Sequence, residues 1–228
     1  AQIPQMKVEV MEPHQSSEKR FHFKMEDEAA CSSNQVPLLP QRLMTELPKL
    51  FPAETRYLAD SGNSFVWAVH YLHTEVSDRS SVSRNGGSRF YASLDFASMG
   101  WAVGSAVGAA FGLPDHPVVC ITGDGSYLMA GQEITVALAN KLTVIYLILN
   151  DSEYGMVKHG QRMTGGEQVG YQLPKIDFAA MAEAMGAKGL RVSSLDELDA
   201  ALEVVAQTQG PVLLELVLDP AAMPRMHK

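Results

Sequence analysis

Two apolar segments, each followed by residues with oxygen-bearing side chains, constrain the fold of this chain most. The first segment, Val118–Ile121, is short and β-branched, and the sequence Gly-Asp-Gly-Ser follows at 123–126. The second segment, Thr143–Leu149, ends at Asn150 and Asp151. Continuous apolar runs of this length are typical of strands that are buried on both faces of a parallel sheet. We therefore predict an α/β fold, a three-layer sandwich with a mostly parallel sheet between layers of helices.

A helical pattern between the two segments, at Tyr127–Lys141, makes them a strand-helix-strand unit. Parallel strands end at the same edge of a sheet, where open α/β sheets bind ligands. Asp124 and Asp151 could share one Mg²⁺ ion there, because this cation prefers oxygen ligands and often bridges to phosphate. The glycines at 123 and 125 would let a ligand approach the backbone closely. The alternative is an ordinary loop with a capping aspartate.

The composition limits the classes of partner. An apolar fraction of 46% over 228 residues supports a real core. A formal charge of −8 argues against nucleic acid or an anionic membrane as a partner. No apolar run approaches the length of a membrane span. The two cysteines cannot form a disulfide framework, which favours a reducing, cytoplasmic location.

The Gly-Asp-Gly-Ser and Asn-Asp pair resembles the diphosphate- and metal-binding signature of thiamine diphosphate (ThDP) enzymes. The longer stretches GDGSYLMAGQE and LILNDSEYGMV resemble the acetolactate synthase-like branch, and the resemblance extends from about Val36 to the C-terminus. It implies that Mg²⁺ is held by Asp124, Asp151 and the backbone carbonyl of Glu153. The cofactor-binding residues that it implies in these two stretches are Gly123, Asp124, Gly125, Ser126, Asp151 and Gly155. The commoner family ending is Asn-Asn, so Asp151 adds a negative charge near the diphosphate.

Two earlier segments also resemble parts of the ThDP site. The pattern that begins at Asp60-x-Gly62 implies that Asn63 and Ser64 face the diphosphate; the alternative is that one of them caps a helix. The sequence Ala-Ser-Met-Gly at 97–100 resembles the loop that holds the aminopyrimidine ring. By this resemblance the Ala97 carbonyl accepts the 4′-amino group, and Met99 is an apolar wedge between the two rings.

Met99 and Met156 are the candidate catalytic residues, since Met156 matches a turn into a mobile helix that covers the active site. The alternative for Met99 is an ordinary core position. True acetolactate synthases carry a Trp four residues after the Met that matches Met156, whereas this chain has Gly160, so the acceptor substrate is not indicated. Lys158, His159 and Arg162 could contact an anionic 2-oxo acid or form a solvated helix face.

Glycines recur every fourth residue at Gly100, Gly104, Gly108 and Gly112. Each glycine costs a helix about 1 kcal/mol relative to alanine, so four on one face predict that something approaches the backbone closely. A sheet, a second subunit or a cofactor would fit.

The domain organisation is predicted as a linker or remnant of an upstream connection at 1–33 and a ThDP diphosphate- and Mg²⁺-binding domain at 34–228. In the family, a glutamate from a separate pyrimidine-binding domain bonds the cofactor, and no segment here matches that domain. We therefore expect a pyrimidine-binding domain, of the same or another chain, as a partner, and a homo-oligomer, dimer or tetramer. Any FAD-binding middle domain would lie elsewhere.

The resemblance implies an enzyme that decarboxylates a 2-oxo acid and transfers the resulting acyl carbanion. One alternative is a simple 2-oxo acid decarboxylase, and another is a non-catalytic ThDP-binding or assembly module. A dinucleotide-binding Rossmann domain is disfavoured, because no G-x-G-x-x-G opens a helix after the first strand.

Overall fold

The computed structural model describes residues 27–73 and 89–224. In these ranges six strands form one sheet in the order β2-β1-β3-β4-β6-β5, and every pairing is parallel. The predicted α/β fold with a mostly parallel sheet is confirmed. The strands are β1 (Arg56–Ala59), β2 (Phe90–Ala92), β3 (Val118–Gly123), β4 (Val144–Asn150), β5 (Lys188–Val192) and β6 (Val212–Val217).

Helices cover both faces of this sheet. Successive residues of β3 alternate between two cores: Val119 and Ile121 pack on one side, Val118 and Cys120 on the other. Helices α2, α3 and α9 supply the first core, and α4, α6 and α8 the second. The three layers follow from this alternation. The helices of the described ranges are α1 (Glu28–Cys31), α2 (Pro40–Leu50), α3 (Asn63–Tyr71), α4 (Trp101–Gly112), α5 (Asp124–Ala130), α6 (Ile134–Ala139), α7 (Gly155–Met163), α8 (Phe178–Ala184) and α9 (Leu195–Gln207).

The helix predicted at Tyr127–Lys141 is divided in the structure. Its first part is α5, a 3₁₀ turn follows at Gly131–Glu133, and the remainder is α6. The Tyr127 ring folds over Gly131, and a Cβ on this glycine would lie 2.7 Å from a ring carbon. Tight contact between the ring and the backbone accompanies the break.

The glycines of α4 face open space rather than the sheet. A Cβ at Gly104, Gly108 or Gly112 would meet nothing within 4 Å. The prediction that these three pack closely on the sheet is therefore wrong, since residues such as Ala102 and Ala106 face the core instead. A second subunit against this face stays a prediction.

Residues 27–33, the described end of the segment predicted as a linker, pack on the domain. Cys31 at the end of α1 is buried, and its carbonyl accepts a hydrogen bond from Arg42 Nη1 at 3.2 Å. The rest of that segment lies outside the described residues, and the boundary at 34 stays a prediction. No helix in the described ranges is long and apolar enough to span a bilayer.

Candidate functional site

Three neighbouring strands end in aspartates. Asp60 follows β1, Asp124 follows β3 and Asp151 follows β4. Since these strands are adjacent and parallel, the three residues follow the same edge of the sheet, where Asp124 and Asp151 line a cavity of about 100 Å³ and Asp60 is buried outside its lining. Every predicted site residue except Ala97 lines this cavity: Asn63, Ser64, Met99, Gly123, Asp124, Gly125, Ser126, Asp151, Glu153, Gly155 and Met156.

The two carboxylates predicted to hold a metal lie close together, with Asp124 buried and Asp151 half-buried. Burial, with the nearby charge of Asp151, raises the pKa of Asp124 to about 7. Burial raises the pKa of Asp151 to about 6, and the charge of Glu153 acts in the same direction. Oδ1 of Asp124 accepts the Gly125 amide at 2.6 Å, whereas its Oδ2 is buried without a hydrogen-bond partner. A bound cation would supply that partner and would offset the repulsion, so the site fits Mg²⁺.

The donors of this candidate metal site are two carboxylates and a backbone carbonyl. Among the described residues, no group of three or more His, Cys, Asp or Glu side chains could hold a metal. The side chain of Glu153 is paired with Lys158, which leaves its backbone as the group available to a cation. The roles of Asp124, Asp151 and Glu153 as ligands stay predictions.

Two glycines of the cavity let neighbouring side chains lie close to the backbone. A Cβ at Gly125 would lie 2.5 Å from a ring carbon of Tyr154 and 3.3 Å from Cε of Met99. A Cβ at Gly155 would collide with the side-chain amide of Asn63. A residue with a side chain at either position would therefore displace a wall of the cavity.

The turn after β4 is held by a short paired segment. The amide of Tyr154 donates to the carbonyl of Tyr171 at 2.6 Å, and the amide of Leu173 donates to the carbonyl of Ser152 at 2.9 Å. Lys158 pairs with Glu153 and lies 5.4 Å from the centre of the Tyr171 ring. These contacts fix the turn that carries Asp151.

The basic residues considered as substrate contacts lie outside the cavity lining. Lys158 is engaged by Glu153, and His159 is buried, which lowers its pKa. Arg162 Nη1 lies 3.1 Å from the sulfur of Met223. None of the three lines the cavity, so contact with a 2-oxo acid gains no support here.

Neither of the residues considered as helix caps bonds the end of α3. Gly62 occupies the N-cap position, and the helix has no side-chain cap. Ser64 Oγ donates to the carbonyls of Asp60 and Ser61, whereas Asn63 Oδ1 is buried without a partner. The capping alternative is wrong, and contact with a diphosphate stays a prediction.

The loop before α4 places Met99 at the cavity and Ala97 outside it. Met99 is 36% exposed, so the alternative of an ordinary core position is wrong. Ala97 is exposed, with a left-handed φ of 50°. The hydrogen bond predicted for its carbonyl stays a prediction.

Asp60 precedes the cavity-lining residue Ser61, and no role was predicted for its side chain. It is fully buried and accepts hydrogen bonds from the amide of Gly100 and the hydroxyl of Thr122. Burial raises its pKa. Its position after an apolar strand, like that of Asp124 and Asp151, is the signal that could have identified it.

The family model of the thiamine pyrophosphate enzyme C-terminal TPP binding domain matches residues 60–216. The chain belongs to this family. Thiamine pyrophosphate is ThDP, so the predicted resemblance to ThDP enzymes is confirmed.

Relatives among known proteins point to the same branch of this ThDP family. A Mycobacterium tuberculosis protein provisionally named acetolactate synthase large subunit IlvB2 is 34% identical over 184 residues, which cover 79% of this chain and 31% of the relative. The mitochondrial acetolactate synthase catalytic subunit of Saccharomyces cerevisiae is 40% identical over 132 residues, covering 57% of this chain and 19% of that protein. The chain spans about a third of the length of several curated relatives.

A solved structure has the same fold. Benzoylformate decarboxylase from Polynucleobacter necessarius superposes with a TM-score of 0.70 at 26% identity, covering 83% of this chain and 34% of that one. The ThDP domain described here is thus similar both to acetolactate synthases and to a decarboxylase.

Proposed function

We propose that this domain binds ThDP and Mg²⁺ in an enzyme that decarboxylates a 2-oxo acid and transfers the acyl carbanion, in the manner of acetolactate synthases. The observation that carries the proposal is the close pair of buried Asp124 and half-buried Asp151 in the cavity, with one oxygen of the Asp124 carboxylate unpartnered. The names of the relatives support the same reaction class.

The residues of the cavity divide between the metal and the diphosphate. Asp124, Asp151 and the backbone carbonyl of Glu153 would hold Mg²⁺. Contacts to the diphosphate would come from the cavity residues Asn63, Ser64, Gly123, Gly125, Ser126 and Gly155. Mg²⁺ would neutralise charge that the two aspartates and a diphosphate could not carry together in a buried site.

Bound ThDP supplies the nucleophilic carbon and the electron sink for loss of CO₂. The contribution of this chain is to hold and shield that chemistry. Met99 and Met156, which are 36% and 38% exposed, present apolar surface at the cavity and would contact the rings. Excluding water at this point strengthens the electrostatic interactions inside the site.

The remaining groups would come from a pyrimidine-binding domain, of the same or another chain, in a homo-oligomer. The loop next to Met99 exposes large apolar side chains, with Leu94 67% and Phe96 90% accessible, and a partner domain would cover them. Both cysteines are free and buried, which is compatible with the proposed cytoplasmic location.

A simple 2-oxo acid decarboxylase is the second candidate. A Cβ at Gly160 on α7 would meet nothing within 4 Å among the described residues, so this position contributes no bulky side chain to an acceptor pocket. The likeness to a benzoylformate decarboxylase also favours it.

Product analysis tests the proposal. The protein, purified at its full natural length, would be supplied with pyruvate, ThDP and Mg²⁺. Acetolactate is the expected product, and free acetaldehyde would favour the decarboxylase. Mg²⁺-dependent ThDP binding without turnover of any 2-oxo acid would favour a non-catalytic module. Absence of ThDP binding to the wild-type protein would overturn the proposal.

A further inference from the structure

A buried glutamate on β6, the strand next to the edge strand β5, accepts hydrogen bonds from several elements. Glu215 on β6 is fully buried. Its Oε1 accepts Nδ2 of Asn150 at 2.8 Å and Nη1 of Arg191 at 2.6 Å. Its Oε2 accepts the amides of Phe178 and Ala179 at 3.0 and 3.2 Å. The site described above does not account for this carboxylate.

Asn150 connects Glu215 to the turn that carries Asp151. While Nδ2 of Asn150 donates to Glu215, Oδ1 accepts both the amide and the hydroxyl of Ser152, at 3.1 and 3.2 Å. The Asn150 side chain therefore links the residue before Asp151 to the residue after it.

The turn needs this support because Ser152 has a left-handed φ of 59°. A residue with a side chain rarely occupies this region, so it remains there only when neighbouring contacts hold it. Ser152 lies between Asp151 and Glu153. Relaxation of its backbone would turn the Asp151 carboxylate and the Glu153 carbonyl away from each other.

We propose that Asn150, oriented by Glu215, is a positioning residue that sets the Asp151–Glu153 turn for metal binding. The inference rests on the proposed function. Only an amide suits both partners: the carboxylate of Glu215 needs a donor, and the amide of Ser152 needs an acceptor. An Asp at 150 would place two carboxylates together, and an aliphatic residue would remove one of the four donors to Glu215 and the side-chain acceptor of the Ser152 amide.

The test measures the Mg²⁺ affinity of the full-length protein in the presence of ThDP, by calorimetry, for Asn150→Ala and two comparison variants. Asn140→Ala is the matched control. Asn140 caps the exposed end of α6, where its side chain donates to the Val136 carbonyl. It precedes the start of β4, whereas Asn150 is at the end of that strand, so the two residues lie at opposite edges of the sheet. Asn150→Ala combined with Ser152→Gly is the rescue variant, since glycine adopts a positive φ without strain.

We expect Asn150→Ala to weaken Mg²⁺ binding about 10–100-fold, the range typical of residues that orient metal ligands. Asn140→Ala should leave the affinity unchanged, and the added Ser152→Gly should recover most of the loss. If Asn150→Ala does not fold, Asn150→Ser keeps a polar group that cannot span both partners, and the same loss is expected.

Three results would overturn the inference. Wild-type affinity in Asn150→Ala would show that the turn holds without the amide. Failure of Ser152→Gly to restore binding would show that Asn150 does not act through the Ser152 backbone, and equal losses in Asn150→Ala and Asn140→Ala would indicate general destabilisation. In each case Mg²⁺-dependent ThDP binding by the wild type leaves the proposed function standing, whereas its absence would overturn both.

Discussion

Asp60 accepts the backbone amide of Gly100 with both carboxylate oxygens, each at 3.1 Å. The two residues are 40 positions apart, and Gly100 directly follows Met99. This contact ties the loop before α4 to the end of β1. The position of Met99 at the cavity therefore depends on the side chain of Asp60, at the end of β1.

Replacing Asp60 tests whether its hydrogen bonds to Gly100 hold the loop before α4 in place. Asp60→Ala leaves the buried amide of Gly100 and the hydroxyl of Thr122 without their acceptor, and we expect the free energy of unfolding to fall by about 2–4 kcal/mol. Denaturant titration measures the loss, and hydrogen exchange at the Gly100 amide should accelerate. Asp219→Ala, which removes only surface hydrogen bonds, should change stability by less than about 1 kcal/mol. Equal effects of the two substitutions would contradict this account.

The glycine at 125 offers a steric test of the cavity. We expect Gly125→Ala to weaken Mg²⁺-dependent ThDP binding at least about tenfold, because the new Cβ would force the Tyr154 ring, 2.5 Å away, into a new position. Calorimetric titration with ThDP measures the change. Gly108→Ala on α4 is the matched control: its Cβ meets nothing within 4 Å, so binding should be unaffected and the helix should gain up to about 1 kcal/mol.

The raised pKa of Asp124, about 7, predicts how the stability of the ligand-free protein depends on pH. A carboxyl group whose folded pKa lies above its unfolded value binds more protons when folded. Its contribution to stability is therefore complete below about pH 4 and is lost as the pH rises towards 7.

Asp124→Asn removes the carboxyl group whose ionisation causes this loss of stability. Without Mg²⁺ at pH 8 the variant should be more stable than the wild type by up to about 4 kcal/mol, and at pH 4 the two should be nearly equal. Thermal unfolding at the two pH values measures this. Addition of Mg²⁺ and ThDP should reverse the order, since the variant lacks the buried carboxylate charge and binds the cation more weakly than the wild type. Full retention of Mg²⁺-dependent binding by Asp124→Asn would refute the metal site.

Asp151→Asn introduces the residue that is commoner in the family. We expect it to keep Mg²⁺-dependent ThDP binding, because an amide oxygen can still contact the cation. Removing the charge of Asp151 should lower the pKa of Asp124 and move the pH dependence of binding to lower pH. The apparent Mg²⁺ affinity, measured from pH 5 to 8, checks this. Loss of all binding would mean that the carboxylate itself is required.

The sequence identified the centre of the fold because β3 and β4 are apolar over most of their length. Parallel pairing of two such neighbours necessarily brings the residues after them together, and the register pairs Gly123 with Leu149. Asp124 and Asp151 could thus be placed side by side from the chain alone. The diphosphate and metal roles depend on a ligand and remain predictions.

Other features depend on contacts that no local pattern contains. The break at Gly131 accompanies a tyrosine ring folded back onto the helix. Glu215 looks like a single polar residue in an apolar strand, yet its partners Arg191 and Asn150 lie 24 and 65 positions away. The glycines of α4 suggested close packing, but which side of that helix faces the sheet is decided by the alanines between them.

The residues that line the cavity follow β1, β3 and β4, so the cavity does not exist until all three strands are paired in order. A ligand held there would bind only the finished sheet and would shift the folding equilibrium towards it. If the proposed function holds, a cell with little ThDP would leave a larger fraction of this protein unfolded and open to proteolysis. The ThDP concentration would then affect the abundance of this protein as well as its activity.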